Sequence, residues 1–176
     1  LRYILSKGGI HLSTDTGIIF TIPPQFFLRL NIKKKVNWKK WSFKFDEQIK
    51  WVYQGKTTSD MDLDFDRRLN EKFLLRLVNN IYWTDETYNL TFENGPSLFQ
   101  RINKDKAISY HAHVITENYP VDAVTNYLLQ LTYQENLYKN WFFLQISPFI
   151  NFPRLRNFHR TPGLKIGFEF ILGYIE

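Results

Sequence analysis

Apolar and polar side chains alternate along most of this sequence. In residues 59–69, for example, Met61, Leu63 and Phe65 alternate with four aspartates. Because successive side chains of a β-strand point to opposite faces of the sheet, this two-residue period predicts a strand with one apolar and one acidic face. Helical spacing of apolar residues is not sustained anywhere in the chain. We therefore expect an all-β protein.

The same alternation recurs in about ten runs separated by short turn-forming segments. The runs lie near residues 9–20, 26–33, 41–51, 59–69, 73–83, 88–93, 108–117, 127–133, 142–152 and 164–172. Because the connections are short, consecutive strands should be neighbours in an antiparallel up-and-down sheet. Pro148 falls inside a predicted strand, and Pro96 falls in a predicted strand that continues beyond the alternation at 88–93. Since proline cannot donate a ladder hydrogen bond, we expect a bulge or a strand end at each.

The length of 176 residues suits one domain. We assign residues 9–176 to a single β-barrel domain and residues 1–8 to an N-terminal segment that can follow a removed leader or an upstream region. The chain has no cysteine and four histidines, which excludes disulfides, thiolate catalysis and zinc–thiolate sites, so we expect no metal and no cofactor. No apolar run reaches the roughly 18 residues of a transmembrane helix.

A net charge of +6 is compatible with several anionic partners, namely nucleic acid, phospholipid headgroups and lipopolysaccharide phosphates. One cluster combines basic and aromatic side chains: Lys33, Lys34, Lys35, Trp38, Lys39, Lys40 and Trp41. Such a cluster is either a nucleic-acid surface or a solvated turn. We expect a turn, and no nucleic acid among the partners.

A meander of this size can close into a barrel in two ways. Apolar side chains inside give a soluble calycin-like carrier of a hydrophobic ligand, and apolar side chains outside give a transmembrane barrel. The predicted strands reach the roughly 9–11 residues that a tilted strand needs to cross a bilayer. Aromatic residues fall at strand ends, as in the girdles of membrane barrels: Trp41, Trp51, Tyr53, Trp83, Tyr88, Tyr127 and Trp141. The sequence therefore favours an apolar face that points outward.

The last predicted strand carries a motif made of Lys165, Gly167, Phe170 and Leu172. It resembles the polar-x-Gly-x-x-aromatic-x-hydrophobic assembly signal at the C-terminus of bacterial outer-membrane β-barrels. Residues 64–69, 141–143 and 160–163 resemble uncharacterised proteobacterial outer-membrane proteins. The resemblance implies an outer-membrane barrel that the barrel-assembly machinery recognises, with its C-terminus in the periplasm. It implies a fold and a location without an activity.

The polar face carries both signs of charge in neighbouring strands, so we expect a narrow lumen closed by cross-strand ion pairs. The residues of this network are Arg29, Lys33, Lys44, Asp46, Lys50, Asp60, Asp62, Asp64, Asp66, Arg76, Glu93, His111, His113, Glu117, Lys165 and Glu169. An ion-selective path is the alternative. His111 and His113 resemble the aspartate–histidine sites of omptin-type outer-membrane proteases. The predicted loops are too short to surround such a site, so we assign no catalytic residues and expect no enzyme.

These features predict a transmembrane β-barrel in the outer membrane of a Gram-negative bacterium, with a structural or scaffold role in which it anchors or accompanies other envelope proteins. A narrow ion or small-solute channel and a soluble carrier are the alternatives. The expected partners are outer-membrane lipid, lipopolysaccharide and the barrel-assembly machinery. Counting hairpins back from a periplasmic C-terminus places one basic loop outside the cell, with possible contacts to lipopolysaccharide phosphates: Arg154, Arg156, His159 and Arg160.

Overall fold

The fold is a single β-sheet of eleven strands, seen in a computed structural model that describes residues 2–7, 9–19, 25–53, 55–118, 122–138 and 141–170. The strands are β1 (Arg2–Lys7), β2 (Ile10–Ile19), β3 (Gln25–Trp38), β4 (Trp41–Val52), β5 (Thr57–Arg68), β6 (Phe73–Thr84), β7 (Asn89–Arg101), β8 (Lys106–Glu117), β9 (Ala123–Tyr138), β10 (Phe142–Pro153) and β11 (Thr161–Phe170). A short 3-10 turn, Arg154–Arg156, follows β10.

Every strand pairs antiparallel with its neighbours in sequence, in the order β1 to β11. The predicted all-β up-and-down arrangement is confirmed, and the ten predicted strands correspond to β2–β11. The structure adds β1, which the alternation did not predict. Within the described residues β1 and β11 are each paired on one side only, so the sheet is open. Across the same ranges no helix is long and apolar enough to cross a membrane.

The strand register keeps apolar and polar side chains on opposite faces. On one face Leu30 lies opposite Ile49, and on the other Lys33 lies opposite Asp46. The buried residues of the described chain all belong to the polar face: Ser13, Asn31, Val52, Asp66, Thr84, Ser97, Ser109, His113 and Ser147. Because the described strands form one layer, side chains on one face become buried only where the sheet curves around them. The polar face is therefore concave.

The apolar face is correspondingly exposed. Leu129, near the middle of β9, is 49% exposed, and it lies between Ala112 of β8 and Ile150 of β10, which are exposed as well. Exposed large hydrophobic side chains extend in the same way from β2 to β11. A soluble domain normally buries such residues and leaves charged ones in water, whereas this sheet does the reverse.

The two internal prolines interrupt the hydrogen-bond ladder without shifting the register. Pro96 is paired with β6 but lies at a gap in the pairing with β8, between the Asn94 and Ser97 pairs. Pro148 is likewise paired with β11 and unpaired on the β9 side. The predicted bulges or strand ends at these positions are therefore wrong. Each proline lacks an N–H group, but the pairing is lost only on the side of the gap, and the strand continues past the proline.

Gly95, beside the first of these gaps, lies where β7 and β8 approach closely. A Cβ atom at this position would lie 2.1 Å from the carbonyl oxygen of Ala112 and 2.8 Å from the Cα of His113. Both are backbone atoms, so neither can move without displacing the strand. Glycine is therefore required for the close packing of β7 on β8.

We predict that Gly95→Ala lowers the free energy of unfolding by about 1–3 kcal/mol, the usual range for overpacking. Gly167→Ala is the matched control, because a Cβ atom at Gly167 has no neighbour within 4 Å. Urea unfolding followed by tryptophan fluorescence measures both. Equal unfolding midpoints for the two variants would contradict the close approach of β7 and β8.

Candidate functional site

The most buried charge on the concave face is the carboxylate of Asp66 in β5, which is 4% exposed. Two cations from the flanking strands bind it. Lys44 Nζ of β4 donates to Oδ2 at 2.7 Å, and Arg76 of β6 donates from Nε to Oδ1 at 2.7 Å and from Nη2 to Oδ2 at 3.1 Å. Arg76 Nη1 also lies 2.9 Å from Asp64 Oδ2. One arginine therefore holds two aspartates of the acidic strand.

The other aspartates of β5 are held by an amide. Asn80 Nδ2 of β6 donates to Asp60 Oδ1 at 2.6 Å and to Asp62 Oδ1 at 2.9 Å. Farther along the sheet, Lys33 Nζ of β3 donates to Asp46 Oδ2 of β4 at 2.5 Å, in an exposed pair. Much of the predicted network is thus brought together across β3–β6.

Five predicted network residues make other contacts or none. Arg29 and Lys50 both lie over the ring of Phe27, at 5.5 and 5.3 Å from its centroid, and Lys165 lies 5.2 Å from the centroid of the Phe149 ring. Glu169 accepts a hydrogen bond from Gln145, and Glu117 forms no ion pair within the described ranges. These cations are stabilised by aromatic rings rather than by carboxylates.

Between β7 and β8 the two histidines are joined by serine hydroxyls. Ser97 Oγ lies 2.8 Å from His111 Nδ1 and 2.9 Å from His113 Nε2, and His113 Nδ1 lies 2.6 Å from Glu93 Oε1. Ser109 Oγ completes the chain, 2.8 Å from His111 Nε2. With neutral imidazoles and an ionised Glu93, one assignment satisfies all four contacts, in which every group donates to the next one toward Glu93.

The order Glu93, His113, Ser97 is the order of a hydrolytic triad, in which a carboxylate orients a histidine that acts on a serine. Ser97, however, has 0% exposed surface, and its oxygen is shared with His111. A substrate carbon cannot reach Oγ in this arrangement. The geometry is that of a closed hydrogen-bond chain, which supplies partners to buried polar groups.

The two serines of this hydrogen-bond chain were not predicted from the sequence. Ser97 and Ser109 follow the same alternation as their neighbours and carry no charge, so the pattern indicates only that they lie on the polar face.

Arg76 connects the aspartate cluster of β5 with the histidines of β8, since its guanidinium lies 5.2 Å from the ring of Phe99, which contacts His111 edge-on. Nowhere in the described ranges do three or more His, Cys, Asp or Glu side chains come together to hold a metal ion.

The predicted girdle residues lie at both ends of the sheet. Trp41 and Trp141 are at the end where β4 and β10 begin, and the remaining five are at or near the opposite end: Trp51, Tyr53, Trp83, Tyr88 and Tyr127. Most of these rings are exposed, and Tyr88 is the most exposed of them. Exposed aromatic rings at both ends, with aliphatic side chains between them, reproduce the distribution on which the girdle prediction was based.

The remaining predicted positions lie on β11 and the loop before it. Lys165, Gly167 and Phe170 belong to the edge strand β11, and Leu172 lies outside the described residues. The basic side chains of the β10–β11 loop are all exposed: Arg154, Arg156, His159 and Arg160. Leu155 in the same loop is fully exposed, whereas Phe158 packs against Tyr127.

We predict that Asp66→Asn lowers the free energy of unfolding by about 3–5 kcal/mol, because Lys44 and Arg76 lose their counter-charge in a buried site. Asp46→Asn makes the same chemical change in the exposed pair with Lys33 and should cost less than about 1 kcal/mol. Urea unfolding at neutral pH compares the two variants. Similar losses would show that Asp66 is no more important than a surface carboxylate.

The chain was compared with known proteins in sequence and in structure. No family model, no curated protein and no solved structure matches it. The resemblance of the last strand to bacterial outer-membrane barrels therefore stays a prediction.

Proposed function

We propose that this chain forms an integral outer-membrane β-barrel with a structural role, in which the apolar face contacts lipid and the concave face is closed by charge pairs. The observation that carries the proposal is the inverted burial of the two faces. Polar residues such as Asp66, Ser97 and His113 are buried, while Leu129 and the apolar side chains around it are exposed.

The exposed apolar face argues for a lipid environment. Soluble monomers rarely expose continuous apolar patches larger than a few hundred Å². Here the exposed hydrophobic residues occur on strand after strand, as with Leu28 of β3, Phe43 of β4 and Leu129 of β9. A bilayer removes this surface from water at no cost to the charged side chains, because those point to the concave side. Strands of 10 to 16 residues, the range from β2 to β9, are long enough to cross it.

The concave face argues against a carrier of hydrophobic ligands. Such a carrier needs an apolar interior, whereas this face presents Asp66, Arg76 and the chain from Ser109 to Glu93. The same pairing favours a structural role over a channel. Fixed ion pairs and hydrogen bonds between neighbouring strands occupy the groups that a permeating ion would have to contact.

We predict that the full chain is recovered with the membrane fraction, needs detergent to stay in solution, and migrates differently on gels before and after boiling, since closed barrels resist detergent until heated. Planar-bilayer recordings of the folded protein should show no discrete conductance. A soluble protein without a heat shift contradicts the membrane barrel. A discrete conductance that Asp62→Asn changes contradicts the structural role and favours a narrow channel.

A second test asks whether lipid covers the apolar face. Leu129→Arg should lower the stability of the protein folded in lipid vesicles by about 2–4 kcal/mol, the cost of arginine near the bilayer midplane. Leu155→Arg is the matched control, because Leu155 is fully exposed in a loop and should tolerate the same charge. Urea titration in vesicles measures both. If Leu129 faces water instead, the two variants will be equally stable.

A further inference from the structure

A cavity of about 730 Å³ opens at the end of the concave face where β3 meets β4 and β5 meets β6. Its walls carry six cationic side chains, which define the cationic vestibule: Lys35, Lys39, Lys40, Lys44, Arg68 and Arg76. Two carboxylates also line it, those of Asp66 and Glu71. The vestibule therefore has an excess of positive charge.

Among the described residues, four of the six cations have no counter-ion. Asp66 is already bound by Lys44 and Arg76. For the other four, Lys35, Lys39, Lys40 and Arg68, no carboxylate lies within ion-pair distance among the described residues, and the one aromatic contact is that of Lys39 Nζ, 5.6 Å from the ring centroid of Trp38. Like charges that converge on one concave space repel each other, and the low-dielectric walls strengthen their field on an anion that enters.

The backbone fixes the walls of the vestibule. Lys39 and Lys40 form the two-residue turn between Trp38 and Trp41, and the carbonyl oxygen of Lys40 accepts a hydrogen bond from the N–H of Arg68 at 3.0 Å. The turn and the end of β5 are therefore tied together. In the β5–β6 turn, which also lines the vestibule, Asn70 Oδ1 accepts hydrogen bonds from the N–H groups of residues 72 and 73.

Ser42 also lines the vestibule. Its hydroxyl oxygen is buried and has no hydrogen-bond partner among the described residues. A buried hydroxyl normally has a partner, so this one is an unsatisfied polar group beside the cavity. Trp41 and Leu74 add an apolar wall next to the charged groups.

We propose that the cationic vestibule binds a compact anion that carries several phosphate groups. A cavity of about 730 Å³ has the size of a small-molecule site and is too confined for a nucleic-acid duplex. Lysine and arginine side chains are the usual partners of phosphate oxygens, and several of them can contact one multivalent anion. The site does not depend on membrane insertion and goes beyond the structural role proposed above.

The proposal also divides the basic cluster of the sequence into two parts. Lys35, Lys39 and Lys40 line the vestibule, whereas Lys33 is paired with Asp46. A general basic surface would use these lysines equally. The vestibule predicts that only the first group affects binding.

Isothermal titration of the folded full chain in detergent with sodium tripolyphosphate tests the site. We expect saturable binding of one anion per chain, which Lys39→Gln/Lys40→Gln weakens at least tenfold. Lys34→Gln/Lys104→Gln is the matched control, since it removes the same charge from exposed side chains that do not line the vestibule, and it should change the affinity less than twofold. Circular dichroism confirms that both double variants fold.

Competition identifies the source of the phosphate. If a short-chain phosphatidylinositol bisphosphate displaces tripolyphosphate, the site takes a multiply phosphorylated lipid headgroup, and if it does not, the site takes a free phosphate compound; each result supports the vestibule. Two results overturn it. One is the absence of saturable binding to either probe, and the other is an equal loss of affinity in both double variants, which would reduce the effect to general surface charge.

Discussion

The buried carboxylate of Asp66 is the point on which the concave side of this sheet depends. It cannot remain ionised in a buried site without a counter-charge, and Lys44 and Arg76 supply two from the strands on either side. Because the three side chains belong to β4, β5 and β6, their pairing draws the three strands around a common centre. Arg76 also links these strands to β7 and β8, because it contacts the ring of Phe99, which in turn contacts His111. The curvature of the sheet and the pairing of its buried charges are thus parts of one electrostatic arrangement.

The sequence predicts the strands and their faces well, because a two-residue period fixes which side chains share a face once the strands pair in order. It also predicts ion pairs between the acidic run and the cations of the strands on either side, and the contacts of Asp66 with Lys44 and Arg76 are of this kind. It does not predict Ser97, which bridges His111 and His113. A small uncharged residue does not stand out in the alternation of apolar and polar side chains. Its role becomes visible only once the strand register places both imidazole rings within hydrogen-bond distance of its hydroxyl oxygen.

Periodicity failed for a different reason at the prolines. Pro96 and Pro148 were expected to break or bulge their strands, because each removes one hydrogen bond. A strand inside a sheet has two ladders, and these prolines lose a pair on one side while the other side keeps its register. Which side is lost depends on the alternation of N–H direction along the strand, and that direction follows from pairing and not from composition. The same limit hid β1, whose pairing with β2 defines it better than its alternation does.

The two edge strands of the described sheet limit how a barrel can close. An up-and-down sheet with an odd number of strands leaves its two edge strands running in the same direction, so β1 and β11 could meet only as a parallel pair. The strands β2–β11 form an even set, which is the usual count in bacterial barrels, but β1 occupies the side of β2 that β11 would need. An exposed edge strand is a pairing surface, and β11 is such a strand, with Phe168 60% exposed. An antiparallel closure between β2 and β11 therefore requires β1 to leave the edge of β2, whereas a sheet that keeps β1 can close only through a parallel pair of β1 and β11.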